Sequence, residues 1–130
     1  MKEYIIIIGT GSYVIDDQFG NGVVLRSVNQ WNNDHNKHII LFYRSKAKLN
    51  QLKLKIQKID LKNEIEFVPI DKLDYIIAEY KIFASFICVP DRVHFEYANK
   101  MISNNIKTWI VKPVTDNLKE ALILKKKSKE

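Results

Sequence analysis

Five short apolar runs punctuate the chain, at residues 3–8, 38–43, 64–68, 82–89 and 106–111. The longest of them do not alternate apolar with polar; YIIII and HIILF are almost continuously β-branched or aromatic. That is the profile of strands buried on both faces. Between them the pattern changes period. Val24, Val28 and Trp31 share one face of a predicted helix over 22–33, and NDHNK at 33–37 reads as a turn. Leu49, Leu52, Ile56 and Ile59 are spaced 3, 4 and 3 apart, which predicts a helix over 46–59 with its lysines outward. A short helix is expected over 71–79, another over 92–104 with Ala98, Met101 and Ile102 inward, and a last one over 116–127 with Thr115 as N-cap. Strand and helix thus alternate five times, with connections long enough for right-handed crossovers. The fold class is α/β: a mostly parallel, doubly wound sheet of five or so strands with helices on both faces.

In such sheets ligands bind beyond the carboxyl ends of the strands, so those ends hold the candidate chemistry. The first strand runs into Gly9-Thr10-Gly11-Ser12-Tyr13-Val14. Gly9 permits a sharp turn and Gly11 lets backbone approach a pyrophosphate, as in a Rossmann-like dinucleotide fold; Ser12 and Tyr13 complete the turn. Val14 occupies the position of the third glycine of G-x-G-x-x-G. That glycine serves close helix–strand packing, and Gly20 or Gly22 is expected to take over the task at the end of an extended loop. The second strand ends in Arg44-Ser45, where an NAD site carries a carboxylate for the ribose 2′-OH. Arginine and serine instead suit a 2′-phosphate, so NADP is the expected cofactor and NAD the second choice. The fourth strand ends in Pro90-Asp91 with His94 in the first turn of the next helix; the fifth ends in Lys112-Pro113. A lysine held at this edge can donate a proton, bind a substrate hydroxyl or screen a phosphate.

Composition narrows the classes. The 130 residues suit one core, with 46% apolar and 28% charged residues. No apolar run is long enough to span a bilayer, and Cys88 is the only cysteine, so a cytoplasmic protein with no membrane partner is expected. Net charge is +6, concentrated in residues 44–62 and 119–130. These lysines lack the interleaved aromatics that stack bases, so no nucleic-acid partner is expected. Asp34, His35 and His38 have metal-binding residue types but sit away from the ligand edge, and no metal is expected. Cys88 is read as a small apolar residue of the fourth strand, and Trp31 and Trp109 as core or helix-packing residues. A receiver-like signalling domain shares the length and the late Lys-Pro, but needs clustered carboxylates at the first and third strand ends. Here those ends are Gly9-Thr10-Gly11 and Val68-Pro69-Ile70.

With those residues in view, CVPDRVHFEYANKMISNNIKTWIVKP at 88–113, together with YIIIIGTG, resembles the Gfo/Idh/MocA-type oxidoreductases. The family pattern is a strand, a proline, a histidine four residues on, a helix, a short strand and Glu-Lys-Pro. The resemblance implies a Rossmann domain binding NAD(P) and hydride transfer with a sugar- or polyol-like substrate. It puts the family's catalytic lysine on Lys112, its histidine on His94 and its glycines on Gly9 and Gly11, with Pro90, Asp91 and Pro113 around the cofactor. The family's glutamate is Val111 here. The family also carries a second domain that selects substrate and often forms the oligomer interface. Residues 1–124 are therefore expected to be a Rossmann-type NAD(P)-binding domain, a fragment lacking that second domain and inactive alone, with residues 125–130 a frayed lysine-rich tail. A homo-oligomer is possible on the same basis. A non-catalytic NADP(H)-binding regulatory module is the alternative reading.

Overall fold

A computed structural model of the chain describes residues 2–11, 14, 24–57, 64–89, 93–110 and 118–129. Five strands, β1 (Glu3–Ile8), β2 (His38–Tyr43), β3 (Ile65–Pro69), β4 (Lys81–Ile87) and β5 (Lys107–Ile110), form one sheet in the order β3-β2-β1-β4-β5. Every pairing is parallel, with Ile5 opposite Ile39 and Ile7 opposite Leu41. The helices are α1 (Val24–Asn32), α2 (Leu49–Gln57), α3 (Leu73–Glu79), α4 (His94–Ser103) and α5 (Leu118–Ser128). Single 3-10 turns, Lys46–Lys48 and Ile70–Lys72, lead into α2 and α3.

The unbroken apolar strands follow from a core on each side of the sheet. Ile5, Ile7, Ile39 and Leu41 pack with Leu25 and Val28 of α1 and Leu52 and Ile56 of α2. Ile6, Ile8, Ile40 and Phe42 point the other way, onto Leu73 and Ile76 of α3, Ala98 and Met101 of α4 and Leu124 of α5. Burying one such side chain stabilises the fold by about 1.5–3 kcal/mol.

Several expectations change. The buried face of α1 is Leu25, Val28, Asn29 and Asn32, not Val24, Val28 and Trp31. Asn32 goes inside because its amide brackets the following turn: Nδ2 donates to the Lys37 carbonyl and Oδ1 accepts from the Lys37 N–H, both at 2.7 Å. Trp31 is rotated outward to 40% exposure and stacks on His35. Trp109 is 67% exposed, since β5 is the edge strand and its ring lies over Phe86 beside an apolar groove of about 470 Å³ between α1 and β5. Neither tryptophan is a core residue. The lysine-rich end is helical through Ser128. Leu124 anchors it in the core, and Lys127 Nζ donates to Asn99 Oδ1 and Ser103 Oγ on α4. Among the described residues no helix is long and apolar enough to cross a membrane.

Candidate cofactor site

The chain leaves β1 for β2 on one side and returns through β3 to β4 on the other, so the sheet order reverses at β1. A crevice must open at the carboxyl end of that strand. A cavity of about 420 Å³ lies there. Gly9, Thr10 and Gly11 form its floor, Tyr43, Arg44 and Ser45 come from the end of β2, Lys48, Gln51 and Lys55 from the approach to α2 and from α2 itself, and Cys88 and Val89 from the end of β4.

The two glycines have different reasons to be there. Gly9 has φ +124°, and a Cβ on it would sit 2.1 Å from the Cys88 carbonyl oxygen. Only glycine lets the end of β1 pass this close to β4, where the Cys88 N–H still donates to the Ile8 carbonyl at 2.9 Å. Gly11 faces the opposite condition: no described atom lies within 4 Å of a Cβ built on it. It borders open space in the cavity, as a backbone that receives a phosphate group does. Val14 also finds its explanation. Its N–H donates to the Gly11 carbonyl at 3.0 Å, its carbonyl accepts from Leu25 N–H, and its side chain is buried with Ile5, Ile7 and Leu25. It fills the space that a third glycine would leave for close helix approach. Gly20 and Gly22, expected to take over that role, lie outside the described residues.

The walls are cationic. Arg44, Lys48 and Lys55 line the cavity, and no carboxylate is among the described residues that line it. Lys48 and Lys55 were expected on the outer face of the second helix, with the other lysines; Gln51 lies between them. Their 3- and 4-residue spacing is a polar stripe that the sequence shows, but only the angle at which α2 packs turns it toward the crevice. Cys88 follows the last residue of β4 instead of lying within it, and burial pushes its thiol up to about 11. It is therefore an uncharged, half-buried wall at neutral pH.

His94 does not line the cavity. It is 1% exposed, and its Nε2–H donates to the Val89 carbonyl at 2.6 Å, pinning the chain just after β4. The structure thus brings Gly9, Gly11, Arg44 and Ser45 together and sets His94 behind them. Ser12, Tyr13, Pro90, Asp91, Lys112 and Pro113 lie outside the described residues. Asp34, His35 and His38 have other surroundings: His35 Nδ1 is 2.7 Å from the Trp31 carbonyl and His38 packs on Tyr4. No group of three metal-ligating side chains occurs among the described residues.

A glycine turn at a switch point, open backbone and a cationic wall fit the phosphates of a dinucleotide. The family model described as oxidoreductase family, NAD-binding Rossmann fold, matches residues 4–130. The chain belongs to the Gfo/Idh/MocA oxidoreductase family. This member is similar in fold to a Gfo/Idh/MocA family oxidoreductase from Vibrio cholerae, at 20% identity and TM-score 0.68, over 97% of this chain and 35% of that one. It also resembles a 3-ketoreductase from Actinomadura kijaniata in complex with NADP and TDP-benzene (11% identity, TM-score 0.66, 99% and 34% coverage). A third likeness is to an aldose-aldose oxidoreductase from Caulobacter crescentus complexed with glycerol (14%, 0.61, 99% and 35%). The Gfo/Idh/MocA chain described here spans about a third of the length of these proteins. No curated protein matches it. The five-stranded parallel sheet is thus the family's NAD(P)-binding Rossmann domain.

Proposed function

We propose that this domain binds NADP(H) in preference to NAD(H) and serves the transfer of a hydride to or from a carbinol or carbonyl carbon of a sugar- or polyol-like substrate. The observation that carries the cofactor preference is the end of β2: Arg44 and Ser45, with Lys48 beside them, line the cavity, and no carboxylate is among the described residues that line it. A guanidinium offers paired donors to a 2′-phosphate, whereas an acidic residue would repel it. The bound nicotinamide supplies the hydride acceptor or donor. Gly11 leaves room for the pyrophosphate, Gly9 closes the turn, and Ser12 and Tyr13 continue it. Pro90, Asp91 and His94 flank the nicotinamide half, His94 through Val89. Lys112, held before Pro113, donates a proton to the substrate oxygen or holds its hydroxyl. The substrate class draws support from the aldose-aldose oxidoreductase and the 3-ketoreductase among the similar folds.

The test is a titration with NADPH, NADH and a nucleic-acid control, followed by nicotinamide fluorescence or calorimetry. NADPH is expected to bind at least about tenfold more tightly than NADH, about 1.4 kcal/mol, and Arg44→Asp to reverse the order. Equal affinity for both dinucleotides would sink the preference. Val111 in place of the family's glutamate favours a second reading, a non-catalytic NADP(H)-binding module. Hydride transfer by the complete protein would dispose of it.

A further inference from the structure

Arg44 leaves the end of β2, yet its guanidinium is held by a residue of α4: Nη2 donates to Tyr97 Oη at 3.0 Å. β2 and β4 flank β1 on opposite sides, and α4 follows β4. The hydrogen bond therefore ties together elements from the two sides of the Gly9–Gly11 turn. Its acceptor is buried. Tyr97 is 7% exposed and packed in the core with Ile8, Phe42 and Ile87. One turn earlier in the same helix, His94 pins α4 to the Val89 carbonyl. Arg44 itself is exposed and lines the cavity.

A free arginine side chain carries about 2 kcal/mol of rotamer entropy, which binding an anion would have to overcome. Fixing the guanidinium beforehand removes part of that cost. The hydrogen bond to Tyr97 uses one of five N–H donors and leaves the others for a ligand. We infer that Tyr97 is a positioning residue for Arg44: its hydroxyl holds the guanidinium at the cavity, ready for the 2′-phosphate of NADP(H), and so sets cofactor selectivity without touching the cofactor. This rests on the proposed preference for NADP(H). It also gives α4, a helix on the far side of the sheet from α2, a part in recognising the adenosine end.

The variant is Tyr97→Phe, which keeps the ring in the core and deletes only the hydroxyl. NADPH affinity should fall about three- to tenfold, the range expected for one ordinary hydrogen bond, since the exposed guanidinium keeps its other donors, while NADH affinity stays within about twofold. In an Arg44→Ala background, Tyr97→Phe should change neither affinity further, since its effect runs through Arg44. A ligand-free readout stands beside these: the Arg44 guanidinium nitrogen signals should be resolved by NMR in the wild type and averaged in Tyr97→Phe. Equal losses for both cofactors, a gain for NADPH, an undiminished effect in the Arg44→Ala background, or unchanged guanidinium signals would each overturn the inference. If Arg44→Ala abolishes selectivity and Tyr97→Phe does not, the inference fails and the cofactor preference stands. If the wild type shows no preference, both fail.

Discussion

Alanine at Gly9 and alanine at Gly11 should produce opposite phenotypes, although only Thr10 separates the two glycines in the same motif. At Gly9 the new methyl would lie 2.1 Å from the Cys88 carbonyl oxygen and 2.8 Å from its carbonyl carbon. Both are backbone atoms, so no rotamer change relieves the overlap. The Cys88 N–H is tied to the Ile8 carbonyl at 2.9 Å, so β1 and β4 would have to part at their ends. The positive φ alone costs about 1–3 kcal/mol for a residue with a Cβ, and the displaced backbone brings the total to about 3–5 kcal/mol. For a domain whose whole stability is about 5–15 kcal/mol, this lowers Tm by roughly 10–20 °C. At Gly11 no described atom is within 4 Å and φ is not positive. Alanine there should leave stability unchanged or raise it by up to about 1 kcal/mol, through the unfolded chain. The methyl instead takes the space offered to the pyrophosphate, and NADPH binding should weaken by at least about tenfold. Circular dichroism melts and NADPH titrations of the two variants decide the matter. A Gly9→Ala melt within about 3 °C of the wild type, below the smallest shift worked above, would refute the close-approach argument. Unchanged NADPH affinity in Gly11→Ala would refute the phosphate-approach argument.

Two further outcomes are expected. Cys88 has its pKa raised from 9.0 to about 11 by burial, so the folded protein carries about a hundredfold less thiolate at neutral pH than an unperturbed thiol. Alkylation by iodoacetamide should be slow at pH 7.5, accelerate toward pH 11, and be slowed again by NADPH because the thiol lines the cavity; fast, pH-independent labelling would contradict this. Lys112→Met should abolish turnover in the complete enzyme while NADPH affinity changes no more than about threefold, less than 1 kcal/mol. A variant that fails to fold, by its melt, would give Lys112 a structural role instead.

The family resemblance and the glycine turn were legible because each rests on contiguous residues. The cavity's cationic wall was legible at Arg44 and Ser45, which follow a strand end directly, but not at Lys48 and Lys55. Lys48 lies in the turn before α2 and Lys55 on α2 itself, and periodicity alone cannot say whether a polar stripe meets solvent or a crevice. Tyr97 was invisible for a related reason: its hydroxyl meets Arg44 across 53 positions of sequence. His94 was singled out by its place in the first turn of α4; in the fold it is buried, supports Val89 and is not part of the cavity lining.

By itself the sequence determined the alternation of strands and helices, since unbroken β-branched runs and 3.6-residue periodicity are local properties that a doubly wound sheet needs. It determined that β1 ends in a Gly-x-Gly turn. Tertiary structure alone decided that Val14 fills the place of the third glycine, that Asn32 displaces Trp31 from the buried face of α1, and that Trp109 stays exposed on an edge strand. It alone brought Arg44 to Tyr97. Each of these depends on what a residue meets from another element, and a one-dimensional pattern records which side of an element is apolar without recording what lies opposite.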